Sequence, residues 1–146
     1  MGKMDNKVAI VTGGGKGIGF GIATAFAKEG ANLVITGRTI ERLQSAKEKL
    51  EAYGVTVLPV AADGGDEAQV KEAVRQTIEK FGKIDVLVNN AQVSKSGVLL
   101  KDHTKEDFDL AVNSGLYAAF FYMRECYPYL KESKGSVINF ASGAGL

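Results

Sequence analysis

The sequence predicts a doubly wound α/β domain, with helices on both faces of a five-stranded parallel sheet of order 3-2-1-4-5. Three observations lead there. Short β-branched runs alternate with longer segments of helical spacing through all 146 residues. The runs are almost continuously apolar, as strands buried on both faces must be. A glycine-rich loop follows the first run and opens directly into a helix.

The predicted strands are Val8–Thr12, Leu33–Thr36, Val55–Val60, Ile84–Val88 and Ser136–Phe140. Four helices are predicted between them, Ile18–Glu29, Ile40–Tyr53, Glu67–Phe81 and Lys105 to about Lys131. Asp66 and Gln69 have capping-box spacing, and Thr104 stands where it caps the fourth helix. Gly30, Gly54 and Gly82 each follow a helix where a left-handed residue is wanted. Right-handed crossovers then give a three-layer α/β/α arrangement in a single domain spanning 1–146.

Composition narrows the function. Eighteen basic and 17 acidic side chains leave a net charge of +1 with no basic block, so nucleic acid is not an expected partner. The longest strongly apolar stretch, Leu116–Met123, is too short to span a bilayer, and no secretory or myristoylation signal opens the chain. With one cysteine, Cys126, an internal disulfide is impossible, and a soluble protein of the reducing cytoplasm is expected. The lone His103 has no ligand-spaced neighbours, so no metal site is predicted.

Chemistry concentrates in Thr12-Gly13-Gly14-Gly15-Lys16-Gly17-Ile18-Gly19. Free N–H groups and the positive end of a helix face an anion at such a turn, and glycine lets the backbone approach a pyrophosphate. The spacing is neither G-x-G-x-x-G nor a P-loop, which disfavours ATP and GTP. At the end of the second strand, where an acidic side chain would accept from the ribose 2′-OH of NAD, stand Gly37 and Arg38. Arg38 suits a 2′-phosphate, and Lys16 adds a second cation. NADP(H) is therefore the expected cofactor and NAD(H) the less favoured one.

Read as T-G-x-x-x-G-I-G, the loop resembles that of the short-chain dehydrogenase/reductase family, of the classical, 3-oxoacyl-reductase-like type. The resemblance extends over essentially the whole chain. It implies a Rossmann-like fold and hydride transfer between nicotinamide and a small-molecule carbonyl or alcohol. It also implies a cofactor site of Gly13, Gly15, Lys16, Gly17, Ile18, Gly19, Arg38, Asp63, Asn89 and Ala91. Asp63 matches the aspartate that accepts from the adenine amino group, although Gly64-Gly65 follows it in place of a bulky apolar residue. Val88-Asn89-Asn90-Ala91-Gln92 resembles the family's N-N-A-G, with Gln92 in place of the glycine. Asn113 matches the asparagine of a proton relay, or else kinks its helix; Ser142 matches the serine that bonds the substrate carbonyl.

In the family a tyrosine gives the proton and a lysine four residues on lowers its pKa. That pair lies beyond the serine, past Leu146. The one Y-x-x-x-K string here, Tyr127-Pro128-Tyr129-Leu130-Lys131, precedes Ser142 and contains a proline that would disturb a helical turn. It reads as a coincidence. The chain as given is thus expected to lack the C-terminal part of the family fold and to have negligible dehydrogenase activity. It is expected to expose apolar surface around Phe120, Phe121 and Tyr122, and to form a homo-oligomer through the fourth helix. Two other readings stay open: a non-catalytic dinucleotide-binding module, and a scaffold that associates through that helix.

Overall fold

The computed structural model describes residues 2–142 of the chain. Its elements are β1 (Val8–Thr12), α1 (Gly17–Lys28), β2 (Asn32–Gly37), α2 (Ile40–Glu51), β3 (Val57–Ala61), α3 (Glu67–Phe81), β4 (Val86–Asn89), α4 (Lys105–Ala111), α5 (Ala118–Ser133) and β5 (Ser136–Asn139). All strand pairs are parallel and the sheet order is β3-β2-β1-β4-β5, as predicted. After β1 the chain steps twice to one side and then crosses back to β4. That reversal leaves a crevice above the C-terminal ends of β1 and β4.

The sheet divides the core in two, which accounts for the unbroken apolar runs. Ala9, Val11, Leu33 and Ile35 point to one face and pack with Ala23, Ala27, Leu43 and Leu50 of α1 and α2. Ile10, Val34 and Leu87 point to the other and pack with Val70, Val74, Tyr122 and Cys126 of α3 and α5. Alternate residues of one strand thus serve two cores, and cutting a fully buried Leu33 to Ala would cost about 2–5 kcal/mol. Asp85, just before β4, is a buried carboxylate at the edge of this apolar core. Its carboxylate accepts from the Val8 N–H at 2.9 Å and lies 3.2 Å from the Lys83 ammonium.

The helix ends follow their sequence signals closely. Gly30, Gly54 and Gly82 all have positive φ, of 92°, 90° and 76°. Thr104 and Asp107 form a reciprocal capping box on α4. On α3, Asp66 caps by accepting from the Ala68 and Gln69 N–H groups. Gln69, however, does not reach back to Asp66 N–H as a capping box requires. Its Oε1 accepts from the Asp63 N–H at 2.8 Å, so this side chain braces the β3–α3 loop instead.

The fourth predicted helix shows the largest difference. It runs as α4, a π-helical turn over Val112–Tyr117, and α5, preceded by a 3-10 turn at Leu100–Asp102. A π-turn needs something beside it to hold the widened backbone. Here the Ser114 hydroxyl does so, accepting from the Val93 N–H at 2.7 Å and donating to the Val93 carbonyl at 2.9 Å. Pro128 does not break α5, which continues to Ser133. A proline inside a helix costs about 3 kcal/mol, and the buried stripe Tyr122, Cys126 and Leu130 around it supplies the opposing packing.

Exposure around α5 also departs from expectation. Phe120 is half exposed, and β5 is exposed along its length. Tyr122 is the opposite: it is 1% exposed and belongs to the core, because it lies four residues before Cys126 on the inward stripe. Phe121 is partly buried against the same core.

Candidate functional site

The crevice predicted by the strand order is a cleft of about 400 Å³, within the range of small-molecule and cofactor sites. One wall is the glycine loop. Gly13, with φ 66°, turns the chain out of β1, and its N–H donates to the Thr36 carbonyl at 2.9 Å. Gly19 closes the loop so tightly that a Cβ on it would stand 2.1 Å from the Gly13 carbonyl oxygen. Any side chain there would push the loop off the helix. The N-cap residue of α1, Lys16, is extended and gives no side-chain cap, and the first turn has no acid. Unlike α3 and α4, α1 therefore points uncapped amide donors and its positive dipole end into the cleft.

The second wall is cationic. Lys16 from the loop, Arg38 after β2, and Arg42 in the first turn of α2 all line the cleft. Arg42 was missed in the sequence. Its signal was its place in the first turn after β2, four residues beyond Arg38, where a side chain can face the same crevice. Asp63 and Gly64 form the floor beyond β3. The Asp63 carboxylate accepts from the Gly65 N–H at 2.9 Å, which holds the loop in a tight turn. Gly64 is required by packing: a Cβ there would come 2.6 Å from the Ala118 Cβ of α5. The bulky residue usual at this place in the family has no room against this helix.

The third side is the exit of β4. The Thr12 hydroxyl accepts from the N–H groups of Asn90 and Ala91, both at 3.0 Å, and the Asn90 side chain donates back to the Thr12 carbonyl at 3.3 Å. Ala91, Gln92, Val93 and Ser114 continue this wall. Asn89 faces elsewhere: its Nδ2 donates to Asn139 Oδ1 at 2.8 Å and ties β4 to β5. Its part in the site is to set the strand from which the wall grows.

The expected cofactor residues Gly13, Gly15, Lys16, Gly17, Ile18, Arg38, Asp63 and Ala91 thus meet on one cleft, with Gly19 directly behind the loop. Asn113 does not line it. The π-turn leaves Asn113 exposed with its Cβ beside Gly65, and presents Ser114 to the cleft instead. Ser142 is exposed just past β5 and is not on the wall. Tyr127 and Lys131 lie outside the cleft as well. Among the described residues there is no cluster of His, Cys, Asp and Glu able to hold a metal, and no helix is long and apolar enough to cross a membrane.

Two buried ionisable groups stand near this site. Burial pushes the Tyr122 phenol up to about 12, with Cys126 adding to the rise. Burial likewise pushes the Cys126 thiol to about 12. Both are neutral across the physiological range, and Cys126 is packing, not a nucleophile. The Tyr122 hydroxyl approaches Thr36 but makes no hydrogen bond of good geometry.

This fold, with its uncapped glycine turn and cationic strand end, is that of a dinucleotide-binding domain. Residues 7–146 match the short chain dehydrogenase family, and the chain belongs to it. It is 64% identical over 153 aligned residues to a 12α-hydroxysteroid dehydrogenase of a Clostridium species, covering all of this chain and 59% of that protein. It is 33% identical to a 3-oxoacyl-acyl-carrier-protein reductase of Thermotoga maritima, covering 99% of this chain and 58% of the relative. Among solved structures, the L-sorbose reductase of Gluconobacter frateurii, in complex with NADPH and L-sorbose, superposes with a TM-score of 0.93 at 34% identity, over 100% of this chain and 56% of that one. An NAD+-bound xylitol dehydrogenase superposes with a TM-score of 0.92 at 28% identity, over 98% of this chain and 55% of its own. The chain therefore spans a little over half the length of these proteins.

Proposed function

We propose that this chain forms the coenzyme-holding part of an NADP(H)-dependent oxidoreductase acting on a secondary alcohol or its ketone. The observation that carries the reading is the uncapped head of α1 standing beside Lys16, Arg38 and Arg42 in one cleft. Amide donors suit a pyrophosphate, and the three cations suit the additional 2′-phosphate that distinguishes NADP from NAD. The fit also rests on the close Gly13–Gly19 approach, which clears side chains from the place the pyrophosphate would take. When bound, the nicotinamide would supply or accept the hydride.

The chain's own residues divide the labour. Gly15, Gly17 and Ile18 would hold the diphosphate, Lys16, Arg38 and Arg42 the 2′-phosphate, Asp63 the adenine amino group, and Ala91 the ribose nearer the nicotinamide. Ser142 would bond the substrate oxygen. The similarity to a 12α-hydroxysteroid dehydrogenase favours a hydroxysteroid as substrate class. The exposed stripe of Leu116, Phe120 and Tyr127 favours a homo-oligomer formed along α5. A free, buried thiol fits the cytoplasm.

Titration of the chain with NADPH and NADH tests the cofactor: tighter binding of NADPH is expected, and equal binding would overturn the preference. Joining residues 1–146 to the C-terminal part of the 12α-hydroxysteroid relative tests the rest. The hybrid is expected to oxidise a 12α-hydroxysteroid with NADP+, while the 146-residue chain alone does not. A hybrid that binds NADP+ and folds but oxidises no steroid would refute the substrate class.

A further inference from the structure

We infer that the side-chain amide of Gln92 is a binding group for the ribose hydroxyls of the coenzyme's nicotinamide half. The inference rests on the dinucleotide reading above. It adds the residue at which the motif closing β4 departs from the family, where a glycine would offer no side chain at all.

The backbone is pinned on both sides of Gln92. Before it, the Ala91 N–H donates to the Thr12 hydroxyl at 3.0 Å. After it, Val93 meets the Ser114 hydroxyl through its N–H at 2.7 Å and its carbonyl at 2.9 Å. The side chain is steered as well. Its Cγ lies 3.2 Å from where a Cβ on Gly115 would stand, so the π-turn leaves a groove that the aliphatic stem occupies and that a larger residue would narrow. Gln92 is exposed and lines the cleft. Its amide makes no hydrogen bond among the described residues. The side chains around it have nothing to offer a polar ligand, since Ala91 and Val93 are apolar and the Ser114 hydroxyl is committed to Val93.

Position along the cleft selects the ligand group. Lys16, Arg38 and Arg42 mark the end that suits the 2′-phosphate, and the glycine loop suits the diphosphate. The sugar on the other side of the diphosphate then leaves the loop at the exit of β4, where Thr12 ties loop and wall together. A vicinal diol both donates and accepts, and a primary amide does both in return. An amide carries no charge, so it matches a sugar and not a phosphate.

The test is Gln92→Met in the 146-residue chain, which keeps a stem beside Gly115 and removes the amide. Calorimetric titration uses three probes. NADPH is the whole coenzyme, 2′-phospho-ADP-ribose lacks the nicotinamide base but keeps its ribose, and adenosine 2′,5′-bisphosphate lacks both. Loss of one net hydrogen bond weakens binding about threefold to tenfold, so the variant is expected to bind the first two that much more weakly and the bisphosphate as the parent does. In ¹⁵N-labelled chain, the side-chain NH2 resonance missing from Gln92→Met is expected to move with 2′-phospho-ADP-ribose and to stay with the bisphosphate. Unchanged affinity for every probe, weakening that extends to the bisphosphate, or weakening confined to NADPH would overturn the assignment and leave the dinucleotide reading standing. Failure of the parent chain to bind NADPH or the bisphosphate would overturn both.

Discussion

Thr12 and Asn90, 78 residues apart, meet twice: the Thr12 hydroxyl accepts from the Asn90 N–H at 3.0 Å, and the Asn90 side chain donates to the Thr12 carbonyl at 3.3 Å. The same hydroxyl also accepts from Ala91 and donates to the Val88 carbonyl at 3.3 Å. One buried side chain thus fixes the distance between the glycine loop and the opposite wall. Thr12→Val keeps the shape and removes the three bonds of the hydroxyl but not the one to the backbone carbonyl, leaving two part-buried N–H groups without their acceptor. Stability in urea is expected to fall by about 1–3 kcal/mol, with weaker NADPH binding. A Thr12→Val chain as stable as the parent would show that the wall is held elsewhere.

Gly19→Ala tests the loop. A Cβ at 2.1 Å from the Gly13 carbonyl oxygen cannot be accommodated by a side-chain shift, since the obstacle is backbone. Coenzyme binding is expected to be lost, with destabilisation of about 1–3 kcal/mol. Calorimetric titration with NADPH reads the first effect and urea unfolding the second.

Arg38→Ala is expected to weaken NADPH far more than NADH, by about tenfold or more, and Arg42→Ala to do so less. The preference should also shrink as salt is raised, because these cations are open to solvent. Equal losses for the two coenzymes would place Arg38 away from the 2′-phosphate.

Alkaline pH is expected to unfold the protein through Cys126 and Tyr122. Their ordinary values are 9.0 and 10.0, and in the fold both stand at about 12. The unfolded chain gives up these protons first, so the stability present below pH 9 is lost as pH rises toward 12. In Cys126→Ala the fall of stability with pH over this window should be shallower, whatever its stability at pH 7. The acid side has the opposite sign. Arg124 holds Glu67, and Arg75 holds Glu72, below the usual carboxylate range of 4.5. Their small contributions are present above that range and lost as pH falls below it; both groups are solvent-exposed.

Phe120→Lys addresses association. Phe120 on α5 is 49% exposed, and Leu116 in the π-turn before it is 71% exposed. If α5 pairs copies of this chain, light scattering should show the parent as an oligomer and the variant as a monomer. A monomeric parent would refute the pairing.

Much of this protein is written locally. The β-branched runs and helical spacings specify which segments become strands and helices, because burial on one face or two imposes its own period on the chain. The glycines, Asp66 and Thr104 mark ends because each satisfies a backbone group within a few residues. Lys16 and Arg38 were readable for the same reason, since each sits beside the strand end that presents it.

Tertiary contact decided the remainder. The π-turn exists because Ser114 finds Val93, 21 residues away, and that turn carries Asn113 out of the cleft. Tyr122 is core and not surface because α5 lies on the sheet with that stripe inward. Gln69 braces Asp63 because the β3–α3 loop folds back over the helix start. No local period encodes such pairings, for each depends on the distance between two segments that only the finished fold brings together.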